Sequence, residues 1–454
     1  MSDLLAVVLA AGKGTRMKSA LPKVLHKVGG KSMVQQVLDA AEGAGAQRKI
    51  VVVGFGGEAV QTALGQQAEY VVQAEQLGTG HAVLQAKALL ESFEGTVMVL
   101  CGDTPLLRAE TLAQFYKEHQ EKKAAATVLT ACMPDPTGYG RVIRDSRGQV
   151  TKIVEQKDAS PEELAVKEIN TGIYCFERAA LLEALGKIGC NNNQGEYYLT
   201  DVIGILANEG KTVWAVVTDD YQQTLGINSR SQLAEAETIL RKRTLQRLMD
   251  NGVTIMDPSS TFIDAQVSIG ADTVIYPFTW LEGSTVIGEN CEIGPSSRLQ
   301  DTVVGNDTTL HFSYAHECRV GSRVTVGPYV HLRPKTVLAD GVKIGNFVEV
   351  KNSSVGEGSK IPHLSYIGDT DMGDKVNIGS GTITVNYDGK NKFRTVIEDG
   401  AFVGCNTNLV APVKVGKGAY VAAGSTITKD VPEASLGVAR ARQSNIEGWV
   451  NKRS

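Results

Sequence analysis

The sequence offers little that would tie it to a membrane, to nucleic acid or to an oxidising compartment. No stretch approaches the length of a membrane helix. The apolar run Leu4–Ala11 is too short to span a bilayer and has no basic leader before it, so no membrane insertion is expected. Acidic and basic residues nearly cancel, 50 against 46 for a net charge of −4, so nothing draws the chain generally toward nucleic acid or anionic lipid. Cysteine is scarce, seven in 454 residues, and no pair has metal-ligand spacing; reduced thiols in a cytoplasmic protein are expected. Glycine, in contrast, is plentiful at 48 residues, which suits a turn-rich soluble protein. The length implies two or three domains.

What is present is a period of six. Ile269, Ile275, Leu281, Ile287, Ile293 and Leu299 are evenly spaced. The period resumes at Val320, Val326, Leu332, Leu338, Ile344 and Val350, and continues with occasional steps of five through Val355, Ile361, Ile367, Met372 and Ile378. After an insertion it returns at Val403, Leu409, Val415, Val421 and Ile427. No α-helix has this period, but a parallel β-helix of hexapeptides does. Each apolar residue then points inward, and Gly or small polar residues are expected at the corners. Three hexads make one triangular coil, and coils stack about 4.8 Å apart.

The first half reads differently. Leu4–Ala10, Lys49–Val53, Glu69–Gln73 and Thr96–Cys101 are short buried strands by composition, with helical patterns near 31–43, 57–65, 79–91 and 109–120. That alternation predicts an α/β unit with a mostly parallel sheet, whose ligands bind beyond the strand C-termini. A charged helix follows near 231–250, with Leu233, Ala236, Ile239, Leu240 and Leu248 as an apolar stripe. The expected division is therefore 1–228, a linker helix at 229–251, and the β-helix with its C-terminal tail at 252–454.

Two places carry chemistry. Gly12-Lys13-Gly14-Thr15-Arg16 follows the first strand, and Lys23 adds a further cation. Bare backbone N–H groups and cations can hold phosphates, although an ordinary turn would look the same; the P-loop spacing is absent. Asp103 follows the fourth strand and is either a turn cap or a hard oxygen ligand for Mg²⁺. In the second half, Arg333 and Lys351 are one coil apart and should project from the same corner. An anion between them, or a solvated basic ridge, accounts for the pair. Lys392 lies in the insertion Asn386–Thr395 and could close over the same ligand. His363 is either structural or a proton acceptor for an amine attacking a thioester.

Leu9-Ala-Ala-Gly-Lys-Gly-Thr-Arg16 with Pro22-Lys23 resembles the signature of the sugar-1-phosphate nucleotidyltransferases. Gln73-Ala-Glu-Gln-Leu-Gly-Thr-Gly-His81, Pro136–Arg141, Val154–Asp158, Glu168–Gly172 and Gln194–Asp201 narrow the resemblance. They are similar to the bacterial bifunctional N-acetylglucosamine-1-phosphate uridylyltransferases/glucosamine-1-phosphate acetyltransferases, over essentially the whole chain. The resemblance implies that Leu9, Ala10, Ala11, Gly12, Gly14, Arg16 and Lys23 hold the nucleotide, with Arg16 and Lys23 catalytic. It implies that Gln73, Gly78 and Thr79 contact the uracil. Gly140, Glu155, Asn170 and Asn228 would hold the amino sugar phosphate, and Asp103 and Asn228 would bind Mg²⁺. In the β-helix, His363 would be the general base and Arg333, Lys351, Tyr366, Asn377 and Lys392 would bind glucosamine-1-phosphate. Ser380, Asn386, Tyr387, Cys405, Ala423 and Arg440 would line the acetyl-CoA site. UTP and acetyl-CoA are the implied co-substrates. The implied assembly is a homotrimer of left-handed β-helices with acetyl sites shared between subunits, serving envelope synthesis.

This chain departs from the pattern at Cys101, where Tyr is frequent, at Ser380 and Cys405, where Ala and Ser are common, and at Pro362 before His363. A single-activity nucleotidyltransferase that oligomerises through its β-helix, or a regulatory subunit without catalysis, would share both folds. Arg16, Lys23 and Asp103 speak against the second alternative, and Arg333, Lys351 and His363 against the first.

Overall fold

A computed structural model describes residues 3–453. The chain forms two compact units, Met1–Leu240 and Arg241–Ser454, and the boundary falls inside the α-helix Arg230–Asp250.

The first unit is built on a twisted sheet. Its strands run, in spatial order, Val213–Thr218, Ala126–Cys132, Glu168–Glu177, Thr96–Cys101, Leu4–Ala10, Arg48–Val53 and Glu69–Val72. Along this path all pair in parallel except Glu168–Glu177, which is antiparallel to both neighbours, and Arg141–Arg144 with Val150–Val154 adds an antiparallel pair beside it. Alternate residues of each strand enter opposite cores. Leu5, Val7 and Val52 pack on one face, and Ala6, Val8 and Val51 on the other. Because both faces are covered, the strands read as continuous apolar runs rather than as alternating ones. The four strands expected from the sequence are all found, and Leu4–Ala10 lies inside the sheet between Thr96–Cys101 and Arg48–Val53. The helical pattern at 79–91 forms two short helices, Thr79–Leu84 and Lys87–Glu91, instead of one. The C-terminal ends of the parallel strands bring Ala10–Gly12, Gln73 and Gly102–Asp103 to one edge.

The helix Arg230–Asp250 belongs to both cores. Ala236, with Leu233, Ile239 and Leu240 beside it, packs on Val28, Met33, Leu106 and Ile227 of the first unit. Leu245 and Leu248 join the β-helix core.

The second unit is a left-handed parallel β-helix with three sheets of 11, 10 and 9 strands. Each strand pairs with the one a coil away: Ile275 with Ile293, Leu332 with Val350, Leu338 with Val355. The hexad residues form the buried core, with Ile269 half-buried against it. Asp272, Asn290, Asp307, Gly341 and Gly358 meet the small-residue expectation with left-handed backbone, but one corner differs. Phe278, Phe312, Tyr329, Phe347 and Leu364 occupy one corner with left-handed backbone, φ between 45° and 60°. These bulky residues turn outward and stack, Tyr329 on Phe347 at 5.3 Å between ring centroids, so side-chain contact offsets the backbone cost.

Two candidate active sites

In the first unit, a cavity of about 260 Å³ opens at the strand ends. Leu9, Ala10, Ala11, Gly12, Lys23, Gln73, Gly78, Thr79 and Asp103 line it, as do Val24, Gln76, Ala82, Cys101 and Glu196. Gln76 and Glu196 lie inside two of the quoted motifs but had no role from the sequence. Their place in the wall follows only from the packing of Gln194–Asp201 against Gly78–Gly80, where Gly80 N–H donates to the Tyr197 carbonyl at 2.8 Å.

Glycine is required twice here. Gly14 has φ of 58°, and a Cβ would sit 2.6 Å from Lys23 Cβ. Gly78 has φ of 111°, and a Cβ would meet the Tyr197 carbonyl at 2.5 Å. Gly14 thus lets the loop close directly over Lys23. The Lys23 ammonium hydrogen-bonds the Asp103 carboxylate and, at 3.0 Å, Asn228 Oδ1. A carboxylate and an amide oxygen therefore already converge on one cation. That pair of hard oxygens fits Mg²⁺, with phosphate and water completing its shell.

Gly14, Arg16, Gly140, Glu155, Asn170 and Asn228 lie outside the cavity's immediate wall. Asn228 reaches the site through Lys23. Arg16 is exposed on the 3₁₀ turn Thr15–Met17. Gly140 and Asn170 are backbone partners, with Asn170 N–H donating to the Gly140 carbonyl at 2.9 Å. Asn170 Oδ1 accepts from Gly172 N–H at 3.2 Å and Tyr174 O–H at 3.0 Å. Burial, then Asp158 and Asp201, raise the Glu155 carboxyl above its ordinary range. Cys101 faces the cavity, but burial first and Asp103 next push its thiol up to about 12.

The β-helix carries two groups at opposite ends of one face. At one corner, Arg333 and Lys351 stand on successive coils, as their spacing predicts. They are not a bare cation pair, because Glu349 accepts from Arg333 Nη1 at 2.7 Å. Lys351 instead meets Lys392 from the insertion. That contact, then desolvation, hold its ammonium below the ordinary lysine range. Asp369 is buried beneath them and accepts from Asn352 and Asn386. Burial raises the Asp369 carboxyl, but these two bonds together with the Lys351 and Lys392 charges outweigh it and keep it below the usual range. Tyr387 and Lys392 form an antiparallel bridge that shapes the insertion.

At the other corner, His363 is exposed, and its Nδ1 lies 2.8 Å from Asn346 Oδ1 on the preceding coil. An amide oxygen only accepts, so this contact takes the proton on Nδ1, the tautomer that in the neutral ring leaves the lone pair on Nε2. Asn346 had no role from the sequence; its place depends on coil register, which brings it beside His363. The same register continues the column through Ser380, Cys405 and Ala423. Asn406 N–H donates to the Ser380 carbonyl at 2.7 Å, and Gly424 N–H to that of Cys405 at 2.8 Å. Arg440 donates to the Ala423 carbonyl at 2.8 Å. Asn377 pairs with Lys360 on the His363 side, while Tyr366 lies on the face between the corners. Asn386 and Tyr387 belong with the cation cluster. One chain therefore does not bring His363 and Lys351 into a single pocket.

The chain matches a nucleotidyl transferase family model over residues 5–248. It matches a bacterial transferase hexapeptide model (six repeats) over 317–352 and 394–429. It is 57% identical to the bifunctional protein GlmU of Geobacillus sp. (strain WCH70), covering 99% of this chain and 98% of that protein. The protein of the same name from Exiguobacterium sp. (strain ATCC BAA-1283 / AT1b) is 56% identical over 98% and 99%. That of Halalkalibacterium halodurans is 53% identical over the full length of both.

Proposed function

The chain belongs to the family of bifunctional GlmU proteins, and on that premise we propose which residues carry each of its two reactions. It is a bifunctional enzyme that makes UDP-N-acetylglucosamine. It N-acetylates glucosamine-1-phosphate from acetyl-CoA, then transfers a uridylyl group from UTP to the product with release of pyrophosphate. The observation that carries the residue assignment is the separation of two unlike sites. One is a glycine-rich loop over Lys23, Asp103 and Asn228; the other is a cation cluster and a histidine column on the β-helix.

For uridylyl transfer, the sugar phosphate oxygen attacks the α-phosphorus of UTP; the new O–P bond forms as the bond to the β-phosphate breaks. No protein nucleophile is needed, so positioning and charge neutralisation supply the rate. Gly12 and Gly14 offer backbone N–H groups, and Lys23 and Arg16 neutralise the phosphates. Gln73, Gly78 and Thr79 form the uracil wall, and Gly140, Glu155 and Asn170 the amino-sugar side. Mg²⁺, held by Asp103 and Asn228, would add charge neutralisation at the phosphates.

For acetyl transfer, the amine nitrogen of glucosamine-1-phosphate attacks the thioester carbonyl. The C–N bond forms, His363 Nε2 takes the proton from nitrogen, and the C–S bond breaks to release coenzyme A. Asn346 fixes the tautomer that leaves Nε2 free. Arg333, Lys351 and Lys392 form the phosphate site, with Tyr366 and Asn377 at the sugar. Ser380, Asn386, Tyr387, Cys405, Ala423 and Arg440 line the coenzyme.

A homotrimer with shared acetyl sites agrees with two observations. His363 and Lys351 stand at opposite ends of one face, so a second copy is the natural source of the missing half. Phe278, Phe312, Tyr329, Phe347 and Leu364 also form an exposed apolar column beside a groove of about 810 Å³. Contiguous apolar surface of that kind marks protein association. Seven free thiols support the cytoplasm as the compartment of action.

A substrate matrix tests the reading. Glucosamine-1-phosphate with acetyl-CoA should release free coenzyme A. N-acetylglucosamine-1-phosphate with UTP should release pyrophosphate, and the unacetylated sugar with UTP alone should be a poor substrate. Absence of either reaction would contradict the assignment.

A further inference from the structure

We infer that Arg230 is a positioning residue for uridylyl transfer: from the first turn of the helix Arg230–Asp250, its guanidinium fixes the turn that presents Arg16 to the triphosphate. Arg16 sits on Thr15–Met17, a single 3₁₀ turn flanked by left-handed residues, Gly14 at φ 58° and Lys18 at φ 47°. Only two bonds close that turn from within, Met17 N–H to the Gly14 carbonyl and Lys18 N–H to the Thr15 carbonyl. So short an element has no cooperative stability of its own. Two anchors hold it instead. The Met17 side chain is buried, and Arg230 Nε donates to the Met17 carbonyl at 3.3 Å.

The other arm of the guanidinium reaches His26 Nδ1 at 3.2 Å. Arg is only a donor, so Nδ1 accepts and the imidazole is neutral, with its proton on Nε2. Nε2 is buried and makes no hydrogen bond among the described residues, so the ring's one polar contact faces Arg230. Burial and the Arg230 charge both favour that neutral form. His26 closes the segment that carries Lys23, since His26 N–H donates to the Lys23 carbonyl at 3.2 Å. One planar fork therefore spans the two stretches that deliver Arg16 and Lys23. Two residues earlier in the chain, Asn228 Oδ1 accepts from the Lys23 ammonium at 3.0 Å. Glu237, further along the helix, accepts from Gly29 N–H at 2.8 Å and holds the following turn.

The inference rests on the reading of the glycine-rich loop as the triphosphate site, and the test separates the two. In the full-length protein, Arg230→Ala should lower kcat for uridylyl transfer roughly 10–100-fold, the cost of a displaced charge near 1 Å. The KM for N-acetylglucosamine-1-phosphate and acetyl transfer should stay at wild-type values. Arg230→Lys keeps the charge but lacks the fork for two acceptors, so it should recover only part of the rate. The decisive readout is a double-mutant cycle. In an Arg16→Ala background, Arg230→Ala should cost little more, because its effect passes through Arg16. Full additivity, or an Arg230→Ala protein with normal uridylyl transfer, would overturn the inference; a general loss of stability would also appear as additivity. Lys23→Ala with intact uridylyl transfer would instead overturn the loop assignment itself.

Discussion

Replacing Gly14 with alanine should damage uridylyl transfer more than it damages folding. The new methyl would lie 2.6 Å from Lys23 Cβ, 0.8 Å short of the 3.4 Å at which ordinary contact begins. Cβ is the root of the Lys23 side chain, so the clash cannot be relieved by rotating a flexible end; the two backbones must separate. The left-handed conformation adds about 1–2 kcal/mol for a residue with a Cβ, and overpacking about 1–3 kcal/mol. A shift of that size moves the ammonium off the Asp103 and Asn228 oxygens and should cost up to roughly 10²-fold in rate. Gly148→Ala is the matched control. Gly148 also has positive φ, 81°, but a Cβ there meets nothing within 4 Å. It should lose about 1–2 kcal/mol of stability and neither activity. The assay is pyrophosphate release from UTP and N-acetylglucosamine-1-phosphate, with coenzyme A release and a melting curve on the same samples. Normal pyrophosphate release by folded Gly14→Ala would refute the claim that loop closure sets Lys23.

Other outcomes follow from the same geometry. His363→Ala should slow acetyl transfer roughly 10²–10⁴-fold, and Asn346→Ala should slow it less, both with normal pyrophosphate release; near-normal acetyl transfer in His363→Ala would leave that residue structural. Co-expressed His363→Ala and Lys351→Ala subunits should regain acetyl transfer that neither has alone, whereas no regain would place the whole site in one chain. Lys392 holds the Lys351 ammonium below the ordinary lysine range, so affinity for glucosamine-1-phosphate should fall as pH rises through the lowered pKa of Lys351. Lys392→Met should move the fall to higher pH, measured by calorimetric titration; an unmoved profile would remove Lys392 as the cause. Alkylation of exposed Cys405 should block acetyl transfer, with protection by coenzyme A and resistance in Cys405→Ser. Uridylyl transfer should survive, because the Cys101 thiol, pushed up to about 12, is protonated at neutral pH.

The β-helix was legible because its core is one-dimensional. Each inward position repeats a single demand, and the hexad residues from Ile275 to Ile427 meet it. Its corners were not legible in the same way. Phe312, Tyr329 and Phe347 tolerate left-handed backbone because they stack on residues a coil away, information absent from any local window. The Arg333–Glu349 and Asn346–His363 contacts also cross coils and appear only once register is known. In the first unit, the four apolar strands and the glycine-rich loop announced themselves. Glu168–Glu177 is harder to read: polar Asn170 and Thr171, and Gly172 at φ 78°, interrupt its pattern, and the register shifts there. The Arg230 fork on Met17 and His26 joins residues more than 200 positions apart, so no spacing could have indicated it.

The central claim is that one chain holds two chemically separate sites acting in sequence on one sugar. Purified Lys23→Ala and His363→Ala proteins, each supplied with glucosamine-1-phosphate, acetyl-CoA and UTP, test it most directly. Neither alone should form UDP-N-acetylglucosamine, the first stopping at N-acetylglucosamine-1-phosphate and the second at the unacetylated sugar. Mixed together, they should form it, because the intermediate can leave one protein and enter the other. UDP-N-acetylglucosamine formed at the wild-type rate by either variant alone, or none formed by the mixture, would contradict the claim.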